Sequence, residues 1–369
     1  MKCVEKKDFD EYKGICVLAE LSGGRLAEAS AELASEGRRL ADEMNCSLTA
    51  IVLGKSVEEA AWHMAGYGAD KVIACESPLL ENFDTCLYTK AVCSIVERLH
   101  PDAFLISATT SGRALAPRCA ARLRTGLNAD CTLLHSSKSS YLEYLKENSQ
   151  LEISEIAQKV DERGLKMTMP AFGGSLMATI TCPQYRPQMA TVRPGVMRVG
   201  EYDEQRAANA DIEYVDCGLS DSDIRGSITE IITPAGETED LTKAEAIVAV
   251  GRGIAGDPEK GIALARELAE LIGGSVGATR EAVSAGWMPE HLMIGQTGRI
   301  VRPKIYIALG VSGAIQHVGG MKDSDLIVAV NKDKSAPIFE IAHYGIAGDL
   351  FDVVPQIIAE IKRSKAQTA

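Results

Sequence analysis

GQTGRIVRPKIYIALGVSGAIQHVGGMKDSDLIVAVNKDKSAPIFEIAHYGIAGD, residues Gly295–Asp349, contains two short aliphatic runs, Ile305–Leu309 and Leu326–Val330. Each is bounded by turn residues, as buried parallel strands are. The first ends in Gly310, Ser312 and Gly313, the second in Asn331 and Lys332. In open α/β sheets, ligands bind beyond the carboxyl ends of the strands. Gly310–His317 and Asn331–Asp333 therefore fall where a nucleotide would be held. Gly310 and Gly313 allow close backbone approach. Ser312 and the amide of Ala314 stand at the start of a short helix, where free N–H groups attract phosphate. Gln316 and His317 follow within one turn and reach toward a polar ring edge. The stretch holds neither a Walker loop nor a strict G-x-G-x-x-G. The residues themselves give a nucleotide-like ligand on a strand–turn–helix.

Working outward, the same alternation continues upstream. Ala246–Val250 reads as a buried strand running into Gly251-Arg252-Gly253, and a helix is expected from Pro258, a good first-turn residue, to Ile272. Ser275–Ala278 is a short strand ending in Thr279-Arg280, and a last helix covers Leu350–Arg363 with Asp349 as an acceptable cap. Ile212–Cys217 and Ser227–Ile232 also look strand-like, and Glu237–Lys243 reads as an acidic loop. Strands are expected at Gly14–Ala19, Ser47–Leu53, Lys71–Ala74 and Ala103–Ser107, with helices between them. This predicts an α/β fold of two doubly wound parallel-sheet domains, residues 1–204 and 205–369, the C-terminal one Rossmann-like.

Three segments of the first domain stand apart. Ala108–Arg113 offers hydroxyls, a glycine and an arginine at a helix start; a helix capped by Thr110 or Ser111 with a surface arginine is the favoured reading, and no cofactor is placed there. Residues 136–164 are charged and helix-permissive, and a surface helix or hairpin is expected, with a partner-docking element as the alternative. Leu165–Val192 is β-rich, with a hairpin signal at Gly173–Gly174.

Composition narrows the function. The chain has 369 residues, 46% of them hydrophobic, and a net charge of −12. Excess negative charge argues against nucleic acid and against an anionic membrane surface. Ten cysteines occur without a C-x-x-C or a cysteine/histidine cluster, so free thiols in a reducing cytoplasm are expected and metal sites are not. The first residues carry no apolar signal region, and no apolar run approaches a membrane span.

SGAIQH at Ser312–His317, GQTG at Gly295–Gly298, NKD at Asn331–Asp333 and YGI…DLFDVVP across Tyr344–Pro355 resemble the electron-transfer flavoprotein alpha subunit. VGRG at Val250–Gly253 and GATREAVSAGW at Gly277–Trp287 extend the likeness upstream in one order. Looser matches are YGADKV at Tyr67–Val72, SGR at Ser111–Arg113 and PAFGG at Pro170–Gly174. The resemblance makes residues 136–164 an insertion. It implies one FAD in the C-terminal domain and a heterodimer with a beta subunit that holds AMP or a second FAD. The dimer would shuttle electrons between an acyl-CoA dehydrogenase-type flavoenzyme and another redox partner. In an electron-bifurcating branch, NADH is oxidised and ferredoxin is reduced as well.

By the same resemblance, Arg280 would pack on the flavin ring, where a permanent cation stabilises the negative charge of reduced forms. His317 would donate to the flavin carbonyl near N1, and Gln296 and Thr297 would lie on the N5 side. Thr279, Ser312, Gly313 and Ala314 would line the ring or phosphates, with Gly310 and Gln316 beside them. Asn331 and Asp349 would hold the adenosine end, and Arg252 would lie near the flavin. The remaining histidines, His63, His100, His135, His291 and His343, are read as structural or exposed. No general acid or base for an organic substrate stands out, which suits an electron carrier. A stand-alone NAD- or FAD-dependent oxidoreductase and a non-redox nucleotide-binding scaffold are the alternatives.

Overall fold

In β1 (Ile15–Leu18), alternate residues serve opposite faces of the sheet. Ile15 and Val17 pack with Leu33, Leu40 and Met64, whereas Cys16 and Leu18 pack with Val92, Leu115 and Cys119. A strand buried on both faces needs helices on both sides, and that requirement sets the architecture. The computed structural model describes residues 9–149, 151–160, 162, 164–171, 176–226, 228–230 and 240–368. The chain divides into a unit of Met1–Pro170 with Met177–Thr229 and a unit of Ala171–Leu176 with Glu230–Ala369.

In the first unit, β1 is followed by a small hairpin of β2 (Leu21–Ser22) and β3 (Arg25–Leu26), then α1 (Glu28–Glu43), β4 (Leu48–Gly54), α2 (Glu58–Gly66), β5 (Lys71–Glu76), α3 (Thr85–Leu99), β6 (Ala103–Ser107) and α4 (Thr110–Leu123). The chain continues through β7 (Leu127–Cys131), β8 (Leu133–His135), α5 (Lys138–Asn148), α6 (Ile153–Lys159), β9 (Lys166–Ala171), β10 (Leu176–Ile180), β11 (Gln188–Val192), α7 (Glu204–Ala208) and β12 (Asp211–Tyr214). Seven of these strands form a parallel sheet in the order β12-β5-β4-β1-β6-β11-β7, and β10, β9 and β8 make a separate three-stranded sheet. Gly37 lets α1 lie close on the large sheet: a Cβ there would meet Leu48 Cδ1 at 2.8 Å.

Several expectations are corrected here. The boundary at residue 204 is too early, because Asp211–Tyr214 joins the first sheet beside Lys71–Ala74. The cap of α4 is Thr109, whose hydroxyl accepts from the Gly112 N–H at 3.0 Å. Residues 136–164 hold two helices, with Tyr141 and Leu145 buried. Not every thiol is free: Cys75 and Cys217 form a disulfide across 142 residues. The pairing follows from β12 lying beside β5, where the Val215 N–H donates to Ala74 O at 2.9 Å. The Gly173–Gly174 hairpin signal, Ser227 and the whole segment from 231 to 239 lie outside the described residues.

The second unit runs β13 (Ala246–Val250), α8 (Pro258–Ile272), β14 (Ser275–Ala278), α9 (Arg280–Ser284), β15 (Ile305–Leu309), α10 (Ile315–Val318), β16 (Leu326–Asn331), α11 (Ile338–Ile341), β17 (Tyr344–Ala347) and α12 (Leu350–Thr368). All five strands are parallel, in the order β14-β13-β15-β16-β17. Val248 and Val250 face α8 and α12, whereas Ile247 and Ala249 face Met321 and Ile338. From β13 the chain winds first to β14 and then returns to the other side as β15. The sheet therefore reverses direction between β13 and β15, and that gap is where a crevice opens.

Candidate functional site

The crevice is lined by backbone. Gly251 follows β13 and Gly310 follows β15; the Gly251 N–H donates to Leu309 O and the Gly253 N–H to Gly310 O, each at 2.9 Å. Gly310 has φ +62°, a conformation other residues adopt only at a cost. Further backbone bonds tie the other strand ends into one rim. Thr279 N–H donates to Val250 O at 3.0 Å, Ile294 N–H to Ala278 O at 2.9 Å and Gln296 N–H to Gln316 O at 2.7 Å. On the far side, Ile338 N–H donates to Ser312 O at 3.0 Å and Gly348 N–H to Asn331 O at 3.0 Å. Gly313, with φ +89°, presses directly on this seam: a Cβ there would lie 2.3 Å from Ile338 N.

A cleft of about 430 Å³ sits beside the glycine pair. Of the expected residues, Gly310, Asn331 and Asp349 line it. Lys332, within the expected Asn331–Asp333 segment, lines it as well, and sequence reading missed Gly256, Asp257, Lys260 and Phe351, which line it too. The signal for Asp257 and Lys260 was present at the start of α8, where Asp257 caps the Lys260 N–H at 3.0 Å. Lys260 lies over the Phe351 ring at 5.5 Å, a contact between helices far apart in sequence.

The other expected residues occupy the rest of the rim. Arg252, Arg280, Gln296, Thr297, Ser312, Ala314 and Gln316 are exposed. Neither Arg252 nor Arg280 has a side-chain partner among the described residues, so both guanidinium groups are available to a ligand. The amides of Ser312, Gly313 and Ala314 have no acceptor among the described residues. Asn331 braces the rim, donating from Nδ2 to Val311 O at 2.8 Å and accepting the Asp333 N–H at 3.0 Å. Asp349 caps α12 by accepting the Phe351 N–H at 2.9 Å.

Two side chains decide whether a ligand fits. Thr279 is 4% exposed at the start of α9, and its hydroxyl has no hydrogen-bond partner. A buried hydroxyl is rarely left unpaired, so this one is free to pair with a polar ligand atom. His317 is the reverse case. Its Nε2 meets the Tyr306 hydroxyl at 2.9 Å and its Nδ1 meets Ile294 O at 3.0 Å. Both ring nitrogens are spent inside the unit, and burial holds the imidazole below its usual pKa. The structure thus places His317, expected to donate to a flavin carbonyl, at 6% exposure with both ring nitrogens hydrogen-bonded within the unit.

This is a rim of bare glycines, free amides, two unpaired arginines and an orphaned hydroxyl at the reversal point of a parallel sheet. Residues 15–217 match the Electron transfer flavoprotein domain, and residues 240–322 match the Electron transfer flavoprotein FAD-binding domain. The chain belongs to the electron transfer flavoprotein alpha-subunit family. Its relatives include the acryloyl-CoA reductase electron transfer subunit beta of Anaerotignum propionicum, 49% identical over 97% of this chain and 98% of the relative. The electron transfer flavoprotein subunit alpha of Thermoanaerobacterium thermosaccharolyticum is 44% identical over 97% of this chain and 100% of its own length. The lactate dehydrogenase (NAD(+),ferredoxin) subunit LctC of Acetobacterium woodii is 37% identical, covering 97% of this chain and 79% of that protein. The family's flavin-binding domain thus falls on the unit that carries the rim. Among the described residues, no helix is long and apolar enough to cross a membrane.

Proposed function

We propose that this chain holds one FAD on the rim of its second unit and passes electrons as the alpha half of a cytoplasmic heterodimer. The observation that carries the reading is the orphaned Thr279 hydroxyl beside a glycine-lined sheet reversal, within the region matching the FAD-binding domain. Bound flavin supplies one- and two-electron chemistry that side chains lack. The chain's own contribution is binding and electrostatics. The free amides of Ser312, Gly313 and Ala314, with Gly310 behind them, suit the pyrophosphate. Asn331 and Asp349, in the cleft, suit the adenosine end, with Lys260 and Lys332 as further donors there. Gln296 and Thr297 offer exposed polar groups to the ring edge, Arg280 and Arg252 offer charge, and Thr279 offers its unpaired hydroxyl.

The partner in this reading is a beta subunit holding AMP or a second FAD, and the electron donor or acceptor is a flavoenzyme of the acyl-CoA dehydrogenase type. The relative named for acryloyl-CoA reductase supports the thioester side. The relative named for NAD(+) and ferredoxin supports a bifurcating form in which the complex uses both.

The test is an absorbance spectrum and flavin count on this chain co-purified with the product of a neighbouring beta-type gene. One FAD per heterodimer indicates a simple carrier. Two, one of them reduced by NADH, indicate the bifurcating form. A complex that forms without flavin would overturn the assignment of the rim.

A further inference from the structure

Tyr306 sits in the middle of an aliphatic strand and is fully buried. Across the sheet it pairs with Ile247 on one side and Ile327 on the other. Packing alone would be served by another aliphatic side chain, whereas a hydroxyl at this depth needs a partner. Its partner is His317 Nε2 at 2.9 Å, and His317 Nδ1 in turn meets Ile294 O at 3.0 Å. A carbonyl only accepts, so Nδ1 carries the proton. Nε2 then accepts from the Tyr306 hydroxyl, and the ring is neutral. One arrangement of protons satisfies every group in the line.

The line joins three elements: β15, the α10 turn and the loop that presents Gln296 and Thr297. That loop is braced within itself, with Gly298 N–H donating to Gly295 O at 3.0 Å and Arg299 N–H to Met293 O at 2.7 Å. These bonds hold the loop's own shape, and its place in the site depends on how it is fixed to the turn at Ser312–Gln316. Two backbone bonds do part of this, from Gln296 N–H to Gln316 O at 2.7 Å and from Val301 N–H to Gly320 O at 2.8 Å. Gly320 and Gly295 are in van der Waals contact, since a Cβ on Gly320 would lie 2.5 Å from Gly295 Cα. The His317 ring lies beneath this seam and, among the described residues, makes its hydrogen bonds with Tyr306 and Ile294.

We propose that Tyr306 is a positioning residue for the flavin: through His317 it fixes the Gln296–Thr297 loop against the Ser312–Gln316 turn, so that both meet the ligand at one spacing. The inference rests on the FAD reading above but assigns a role to a residue that does not touch the ligand. Tyr306→Phe keeps the ring and removes the hydroxyl, leaving His317 Nε2 without its donor.

The test compares Tyr306→Phe with Ile327→Val, a substitution in the adjacent strand that loosens the same core without touching the line. In the full chain without flavin, amide hydrogen exchange at Gln296 and Val301 is expected to quicken about tenfold in Tyr306→Phe, the scale of one lost hydrogen bond. It should stay near wild type in Ile327→Val. In the FAD-loaded complex, the FAD dissociation constant should rise about tenfold and the flavin's visible band and midpoint potential should shift in Tyr306→Phe alone. Equal exchange, affinity and spectrum in the two variants would overturn the role. A wild-type complex without FAD, whose Gln296 amide still responds to Tyr306→Phe, would instead overturn the flavin reading and leave the clamp standing.

Discussion

Gly253 and Gly310 meet with no side chain between them: a Cβ on Gly253 would lie 2.5 Å from Gly310 Cα, and one on Gly310 would lie 2.7 Å from Gly253 Cα. Distances of that order force backbone to move. Gly310 also carries φ +62°, which adds strain of about 1–3 kcal/mol for a non-glycine residue. Gly310→Ala is therefore expected to lower the unfolding free energy by about 1–3 kcal/mol and to weaken FAD binding at least ~10-fold. Gly256 lines the same cleft but has open space at its Cβ position, so Gly256→Ala should be near neutral. Urea denaturation and FAD titration of the two variants check the contrast.

Arg280 begins α9, is exposed and has no partner among the described residues. Nothing in the fold depends on its charge, so Arg280→Ala should leave the denaturation midpoint within about 0.5 kcal/mol of wild type. The same change removes a permanent cation from the rim. A cation beside a ring that gains negative charge on reduction favours the reduced form. The midpoint potential of the bound flavin is expected to fall in Arg280→Ala and to be largely retained in Arg280→Lys. A redox titration that returns the wild-type potential would remove Arg280 from the flavin's surroundings.

The strands were legible because the sheets are buried on both faces. Ala246–Val250 and Ile305–Leu309 appear as unbroken aliphatic runs, and Pro258–Ile272 was bounded correctly because proline and a glycine C-cap mark its ends. The glycines of the rim were legible for the same local reason. Long-range pairing was not. Asp211–Tyr214 carries alternating polar residues that suit any sheet edge, and only the fold shows that it completes the first sheet beside β5. The Cys75–Cys217 pairing depends on that placement and was hidden with it. The ring partners of His317 were hidden as well, because its motif gives its neighbours along the chain, whereas its ring meets Tyr306 on a strand eleven residues upstream.

Acid should weaken the second unit through His317. Burial holds its pKa below that of a free imidazole, outweighing the opposing pull of the bond to Ile294 O and of the nearby Glu281 carboxylate. The unfolded chain takes up this proton at about pH 6.5, and the folded chain only at lower pH. The stability tied to the neutral ring is therefore complete above about pH 6.5 and is lost as the pH falls toward the folded value, with a slope of at most about 1.4 kcal/mol per pH unit for one proton. His135, half-buried with Arg39 nearby, adds a loss of the same sign in the first unit. Unfolding free energies measured from pH 7.5 to pH 5 should fall for wild type, and less steeply for His317→Gln.

Thr279→Val separates the cost of an orphaned hydroxyl from its use. The hydroxyl is buried and unpaired in the ligand-free chain, which costs on the order of 1–3 kcal/mol. Valine has nearly the same shape and no polar atom to satisfy. The ligand-free variant is therefore expected to unfold at a higher temperature than wild type. FAD binding should change in the opposite direction, weakening about 5–15-fold, because a flavin atom that pairs with the hydroxyl would lose its partner. Thermal melts of the flavin-free chain and FAD titrations on the same preparations give both signs. A variant that is more stable and binds FAD as tightly as wild type would show that the hydroxyl faces no flavin atom. A variant that is less stable would mean that the hydroxyl is already paired in the folded chain, most simply by water.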